Sequence, residues 1–194
     1  MRAAANNKNL IRKEVLSRRD SIKSEIRNDK DGKISRRLQG LYEFEKARAV
    51  LLYASFRSEV DTFNLLKYCL AGKKVAVLPR VDTVRNDLRL YKIMDMQELT
   101  TGYLGIPEPN IAEDREMDIE EMDLIVVPGV AFDLKCNRLG YGKGFYDRLL
   151  SQRKASAIAL AFEEQILESI PSESHDIKMD KIITDKRIID CRGR

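Results

Sequence analysis

The sequence predicts an α/β protein, a three-layer αβα sandwich around a mostly parallel sheet, with N-terminal helices packed on it. Three observations lead there. Short continuous apolar runs, above all Ala49-Val50-Leu51-Leu52-Tyr53-Ala54 and Leu124-Ile125-Val126-Val127, have the length and texture of strands buried on both faces. These runs alternate with segments whose apolar residues recur every three or four positions, as in a sheet covered by helices. The 194 residues suit one domain with a sizeable core, and no repeat, low-complexity tract or linker divides them.

Taken in order, residues 8–42 carry Leu10, Ile11, Val15, Ile22, Ile26, Ile34, Leu38 and Leu41, spaced mostly by three, four or seven. That stripe predicts two helices, broken near Asp20 or near Asp31-Gly32. After the run at 49–54, Asp61 or Thr62 caps a helix that reaches Leu70 and ends at Gly72. Lys74 to Leu78 reads as a second strand closed by Pro79, and Leu88 to Ile93 alternates as a third. Pro128-Gly129 closes the run at 124–127. Gly144 to Gln152 reads as a helix and Ala155 to Phe162 as a strand. Ile182-Ile183-Thr184 and Arg187-Ile188-Ile189 are short extended pieces.

Composition narrows the function classes. Lys and Arg number 35 against 31 Asp and Glu, and the first 40 residues alone hold a surplus of seven positive charges. A basic head on a nearly neutral body suits an anionic ligand, either nucleic acid or a phosphorylated small molecule; it equally suits the solvated faces of two helices. No stretch approaches the roughly 20 apolar residues of a membrane span, and charges interrupt the N-terminus before a secretory apolar region could form. The single histidine, His175, reads as a structural or surface residue and leaves little room for mechanisms built on several histidines. Cys69, Cys136 and Cys191 are odd in number, widely spaced and without CxxC. They argue for a reducing, cytoplasmic setting and against a disulfide framework or a zinc site. Cys136 reads as an incidental thiol.

The most informative stretch is Arg138-Leu139-Gly140-Tyr141-Gly142-Lys143-Gly144-Phe145-Tyr146-Asp147-Arg148. Three glycines at alternate positions let backbone N–H groups turn toward a ligand, so the loop can form an anion nest. A helix starting near Gly144 adds a positive end, and Arg138 and Lys143 add full charges. The P-loop pattern fails twice, because Asn137 stands where it needs glycine and Gly144 where it needs Ser or Thr. The dinucleotide fingerprint fails too: this is GxGxG, late in the chain.

A longer set of strings is more specific. Val127-Pro128-Gly129-Val130-Ala131-Phe132-Asp133, Asn137-Arg138-Leu139-Gly140 and Gly142 to Arg148 together resemble the signature of the 5-formyltetrahydrofolate cyclo-ligase family. Lys8-Asn9-Leu10-Ile11-Arg12, Tyr53 to Thr62, Leu78-Pro79-Arg80-Val81, Leu104 to Pro109 and His175 to Asp180 match the family in type and order. The resemblance covers nearly the whole chain.

The resemblance implies conversion of 5-formyltetrahydrofolate to 5,10-methenyltetrahydrofolate with ATP and Mg²⁺, releasing ADP and phosphate. The formyl oxygen is phosphorylated, the substrate's own N10 attacks the activated carbon, and phosphate leaves. Carried over by position, Lys8, Asn9, Leu10, Ile11 and Arg12, with Arg138, Leu139, Gly140, Tyr141, Gly142, Lys143, Gly144, Phe145 and Tyr146, would bind ATP. Arg138 and Lys143 would act on the phosphoryl charge. Tyr141, Gly142, Lys143, Gly144 and Phe145 would also border the folate, together with Ala54 and Glu59. Asp147 and Asp176 would hold Mg²⁺, a hard cation served by carboxylate oxygens. Read without the family, Asp176 is a surface carboxylate beside His175, and Glu59 is either a pterin acceptor or a loop carboxylate before the Asp61 cap. Phe56, Tyr103 and Tyr146 are candidates for the pocket wall. Many relatives carry two tyrosines before the aspartate; here Phe145 keeps the aromatic face and lacks the hydroxyl.

Two other readings compete. A nucleic-acid protein would use the basic head and leave the glycine loop idle, and no recognised RNA or DNA motif is present. A sugar-phosphate isomerase or CoA-transferase relative would share the architecture and need no ATP. The expected partners are small-molecule substrates, with neither nucleic acid nor membrane, and the expected state is a monomer.

Overall fold

A computed structural model describes residues 2–72, 74–173 and 176–192, with side chains from residue 7 onward. His175 lies outside the described residues. The chain opens with helices α1 (Arg2–Asp20), α2 (Ser24–Gln39) and α3 (Tyr42–Lys46). Strand β1 (Ala49–Leu51), helix α4 (Phe63–Ala71), and strands β2 (Val75–Asp82) and β3 (Asp87–Ile93) follow. Next come the short strands β4 (Leu99–Thr101), β5 (Pro107–Pro109) and β6 (Glu116–Met117), then β7 (Leu124–Val127), β8 (Ala131–Asp133) and β9 (Arg138–Leu139). Helix α5 (Phe145–Leu150) and strands β10 (Ser156–Leu160), β11 (Ile166–Leu167), β12 (Lys181–Ile183) and β13 (Ile188–Asp190) complete the described chain.

Eight strands form the central sheet in the order β13-β12-β10-β7-β1-β2-β3-β6. The five from β12 to β2 run parallel, and the flanking strands are antiparallel. Every residue of β1 and β7 is buried, as continuous apolar runs require. On one face Val50, Leu124, Val126 and Ile158 meet Ile34 and Leu38 of α2, Phe44 of α3, and Leu65 and Leu66 of α4. On the other face Leu51, Ile125, Val127 and Ala159 meet Leu149 and Leu150 of α5, together with Phe132, Met122 and Met179 from loops and short strands. The expected sandwich is therefore present, with a second layer that holds one short helix and much irregular chain.

Several local expectations change. Of the two alternative places for the break in the N-terminal stripe, the chain uses the one after Asp20, and Asp31-Gly32 lies inside α2. Leu10 and Ile26, placed in the apolar stripe, are 66% and 51% exposed. Ile11 and Val15 turn instead toward Val130, Leu139 and Ile170 around the small sheet β11-β8-β9. Pro79 does not close the second strand, which continues to Asp82 along β3. The N–H of Val75 and the carbonyl of Val77 face β1. By strand alternation the N–H that Pro79 lacks would point the same way, past the end of β1, so no ladder bond is lost. Thr62 precedes α4 without capping it through its side chain; the Asp61 carboxylate accepts from the Phe63 N–H at 3.1 Å.

The cysteine reading is corrected. Cys136 and Cys191 form a disulfide, with Cα atoms 6.2 Å apart across a sequence separation of 55. Their spacing gave no sign of it, because the fold alone carries the end of β13 to the β8–β9 turn. Cys69 is a buried free thiol, and burial pushes its pKa up to about 11.

Asp31 offers a stability test. Its carboxylate accepts from the Asp61 N–H at 3.0 Å, yet burial raises its pKa from 3.8 to about 6, against the help of that bond and of nearby Arg27. The folded chain thus holds this proton more tightly than the unfolded chain. Its contribution to stability is full below the unfolded pKa and falls as pH rises from about 4 to 6. Asp31→Asn keeps an acceptor oxygen and removes the charge, so it should stabilise the protein at pH 7 by about 1 kcal/mol, after discounting for partial exposure. Denaturant titrations should show that gain vanishing near pH 3.5. An equal gain at both pH values would refute the assignment.

Candidate active site

The carboxyl ends of β1, β2 and β7 open into a cavity of about 650 Å³, where Ala54, Pro79, Val81 and Pro128 form part of the wall. Ligands in open α/β sheets collect at such strand ends. Every residue from Arg138 to Asp147 lines this cavity, as do Lys8, Arg12, Ala54, Glu59 and Asp176. Phe56, Tyr103 and Tyr146 line it as well. Asn9, Leu10 and Ile11 do not. The Asn9 amide oxygen accepts from Arg12 at 2.7 Å, Leu10 points to solvent, and Ile11 packs with the cluster of Val130, Leu139 and Ile170. Helical spacing explains the split, since Lys8 and Arg12 share a face that their neighbours turn away from.

The glycine loop has the backbone its sequence suggests. Gly142 and Gly144 adopt φ of +95° and +70°, in the left-handed region that side chains disfavour. Among the described residues, the N–H groups of Tyr141, Gly142, Lys143 and Gly144 find no protein acceptor. The Lys143 side chain is exposed and has no ion-pair partner among the described residues. Four free N–H groups and a free ammonium suit an anion with several oxygens.

Arg138 is placed differently from an open phosphate fork. Its side chain is buried, one terminal nitrogen donates to Asp147 Oδ1 at 2.7 Å, and its guanidinium lies 5.7 Å from the Tyr146 ring centroid. Its buried Nε has no hydrogen-bond partner. Asp176 likewise meets a cation: Lys8 Nζ donates to its Oδ2 at 3.0 Å and lies 3.2 Å from Glu173. Burial lowers the Lys8 pKa, but these two carboxylates outweigh it and leave the ammonium above its usual range.

Also on the cavity wall, Glu59 Oε1 accepts from the Tyr141 hydroxyl at 2.6 Å and Oε2 from the Phe56 N–H at 3.0 Å. Burial raises the Glu59 pKa despite both bonds. Burial and the Glu59 charge together push the Tyr141 phenol well above its ordinary value, and burial does the same for Tyr146. Tyr103 meets Phe145 edge-on, with centroids 6.3 Å apart, so an aromatic pair flanks the loop.

Sequence reading missed Arg19, whose buried guanidinium reaches Tyr141 and Ser58. The available signal was its place seven residues after Arg12, two turns along the same helix face. Other charges of the basic head also turn inward. Lys30 pairs with Glu164 and Asp185, and Arg37 donates to the carbonyls of Thr184, Asp185 and Lys186. No helix among the described residues is long and apolar enough to cross a membrane.

Shape and topology together give an α/β protein with a glycine-loop cavity at the carboxyl ends of its parallel strands. Comparison with known proteins makes the class specific. A match to the 5-formyltetrahydrofolate cyclo-ligase family runs over residues 4–185. The Mus musculus 5-formyltetrahydrofolate cyclo-ligase is 28% identical over 186 residues, 89% of this chain and 91% of that protein. The Mycolicibacterium smegmatis cyclo-ligase is 31% identical over 188 residues, covering 93% and 94%. The solved structure of Aquifex aeolicus 5,10-methenyltetrahydrofolate synthetase superposes with a TM-score of 0.86 at 38% identity, covering 96% of this chain and 94% of that one. The chain belongs to the 5-formyltetrahydrofolate cyclo-ligase family, and it is an enzyme of that ligase class.

Proposed function

We propose that this chain closes 5-formyltetrahydrofolate to 5,10-methenyltetrahydrofolate with ATP as co-substrate, releasing ADP and phosphate. One observation supports this reading most. Three segments separated by 42 or more residues in sequence, Lys8 and Arg12, Ala54 and Glu59, and the loop 138–147, converge on one cavity of about 650 Å³. Its wall offers two chemistries. The glycine loop offers free N–H groups and a lysine to a triphosphate, while Glu59 offers acceptor oxygens to the amino and ring N–H groups of a pterin. Phe56, Tyr103 and Phe145 provide the apolar faces between.

The substrate's N10 is the nucleophile, so the chain needs no base–nucleophile pair of its own. Its residues position the γ-phosphoryl group against the formyl oxygen and stabilise the charge that shifts between them. Lys143 neutralises phosphoryl oxygens directly. Arg138 holds Asp147 in place at the end of the loop.

Asp147 and Asp176 would hold Mg²⁺. Both are hard oxygen donors on the cavity wall, and each faces a cation whose place a metal could take in part. Among the described residues no group of three metal-ligating side chains stands together, so most of the coordination would fall to phosphate and water. When bound, the ion neutralises bridging phosphate charge.

The test is spectroscopic. The protein mixed with 5-formyltetrahydrofolate, ATP and Mg²⁺ should generate the near-ultraviolet absorbance of the methenyl product, and omission of ATP should abolish it. Absorbance rising equally without ATP would refute the ligase reading. Excess chelator should stop turnover, and a full rate in chelator would remove the metal assignment alone.

A further inference from the structure

Arg19 has no role in the chemistry above, yet it is 2% exposed and stands on the cavity wall. A buried guanidinium must find acceptors. Its Nε donates to Ser58 Oγ at 2.9 Å, and both terminal nitrogens reach the Tyr141 hydroxyl at 3.1 Å. Because arginine can only donate, the phenol must accept from it and direct its own proton elsewhere. That proton goes to Glu59 Oε1 at 2.6 Å. Two turns earlier on the same helix, Arg12 Nε holds the Gly140 carbonyl at 2.8 Å. One helix therefore grips two successive residues of the glycine loop, and through the second it is tied to Glu59.

We infer that Arg19 is a positioning residue which, through the Tyr141 phenol, couples Glu59, the proposed folate acceptor, to the phosphate-binding glycine loop. The inference rests on the proposed function and adds a linkage between its two ligands. A ligand that fixes Glu59 also fixes Tyr141, and with it Lys143 two residues on. The second ligand then meets a loop already in place, and by reciprocity either order of binding gains equally.

The test measures binding of a non-hydrolysable ATP analogue with Mg²⁺, by calorimetry, with and without saturating 5-formyltetrahydrofolate. In the wild-type chain folate should tighten the analogue at least about 5-fold, the lower end of typical coupling. Tyr141→Phe keeps the half-exposed ring and removes only the hydroxyl, and its ratio should fall to within about 2-fold of one. Arg19→Ala should lose the coupling in the same way. A purely structural Arg19 would lower the unfolding temperature of that variant and leave the ratio unmoved. If neither ligand binds the wild-type chain, the proposed function fails and the inference with it. If both bind with a ratio near one, or if either variant keeps the wild-type ratio, the inference alone is overturned.

Discussion

Replacing Lys143 with alanine is expected to lower kcat/KM by one to two orders of magnitude and to leave the fold intact. Its ammonium is exposed, stands in a loop of free N–H groups, and has no ion-pair partner among the described residues. Among the described residues its ammonium supports no other group, so its loss should cost under about 0.5 kcal/mol of stability. A charge-assisted contact to a phosphoryl oxygen is worth about 1.5–3 kcal/mol, which sets the kinetic loss. Steady-state rates at varied ATP, measured beside a thermal melt, separate the two quantities. Unchanged kinetics would remove Lys143 from the site, and a large drop in melting temperature would show that it supports the fold.

Cys191→Ser should have the largest effect on stability. The bond to Cys136 closes a loop spanning 55 positions, and restricting the unfolded chain to that extent is worth about 4 kcal/mol in the chain-entropy account. Measured values cluster at about 2–4 kcal/mol, which for a chain of this size means a fall of roughly 5–15 °C in Tm. Reductant should impose the same fall on the wild-type protein and none on the variant. A wild-type Tm indifferent to reductant would show that the bond contributes nothing.

How much of this was legible beforehand depended on which interactions are local. The runs at 49–54 and 124–127 announced buried strands because burial on both faces leaves no polar position to blur the pattern. Gly142 and Gly144 announced their loop because closely spaced glycines favour the positive φ that both adopt. Lys8 and Arg12 could be placed on one face by helical spacing, and the cavity does take them from one face. Arg19 escaped because a buried arginine and a solvated one look alike in sequence; only the packing of α1 against Ser58 and Tyr141 distinguishes them. The pairing of Cys136 with Cys191 escaped for a similar reason, since strand order rather than spacing brings them together. The stripe misplaced Leu10 and Ile26 because α1 and α2 bury narrow faces and leave most of their circumference in water.

The ion pair between Lys8 and Asp176 joins positions 168 residues apart. During synthesis the N-terminal residues emerge first, and at about 5–20 residues per second Lys8 waits roughly 10–30 s for its partner. Over the same interval Arg12 and Arg19 wait for Gly140 and Tyr141. This helix, made before the loop and the carboxylate it contacts, therefore cannot be fully seated until they follow. The cavity it completes comes into being only when nearly the whole chain is present, so a nascent or truncated product should hold neither substrate.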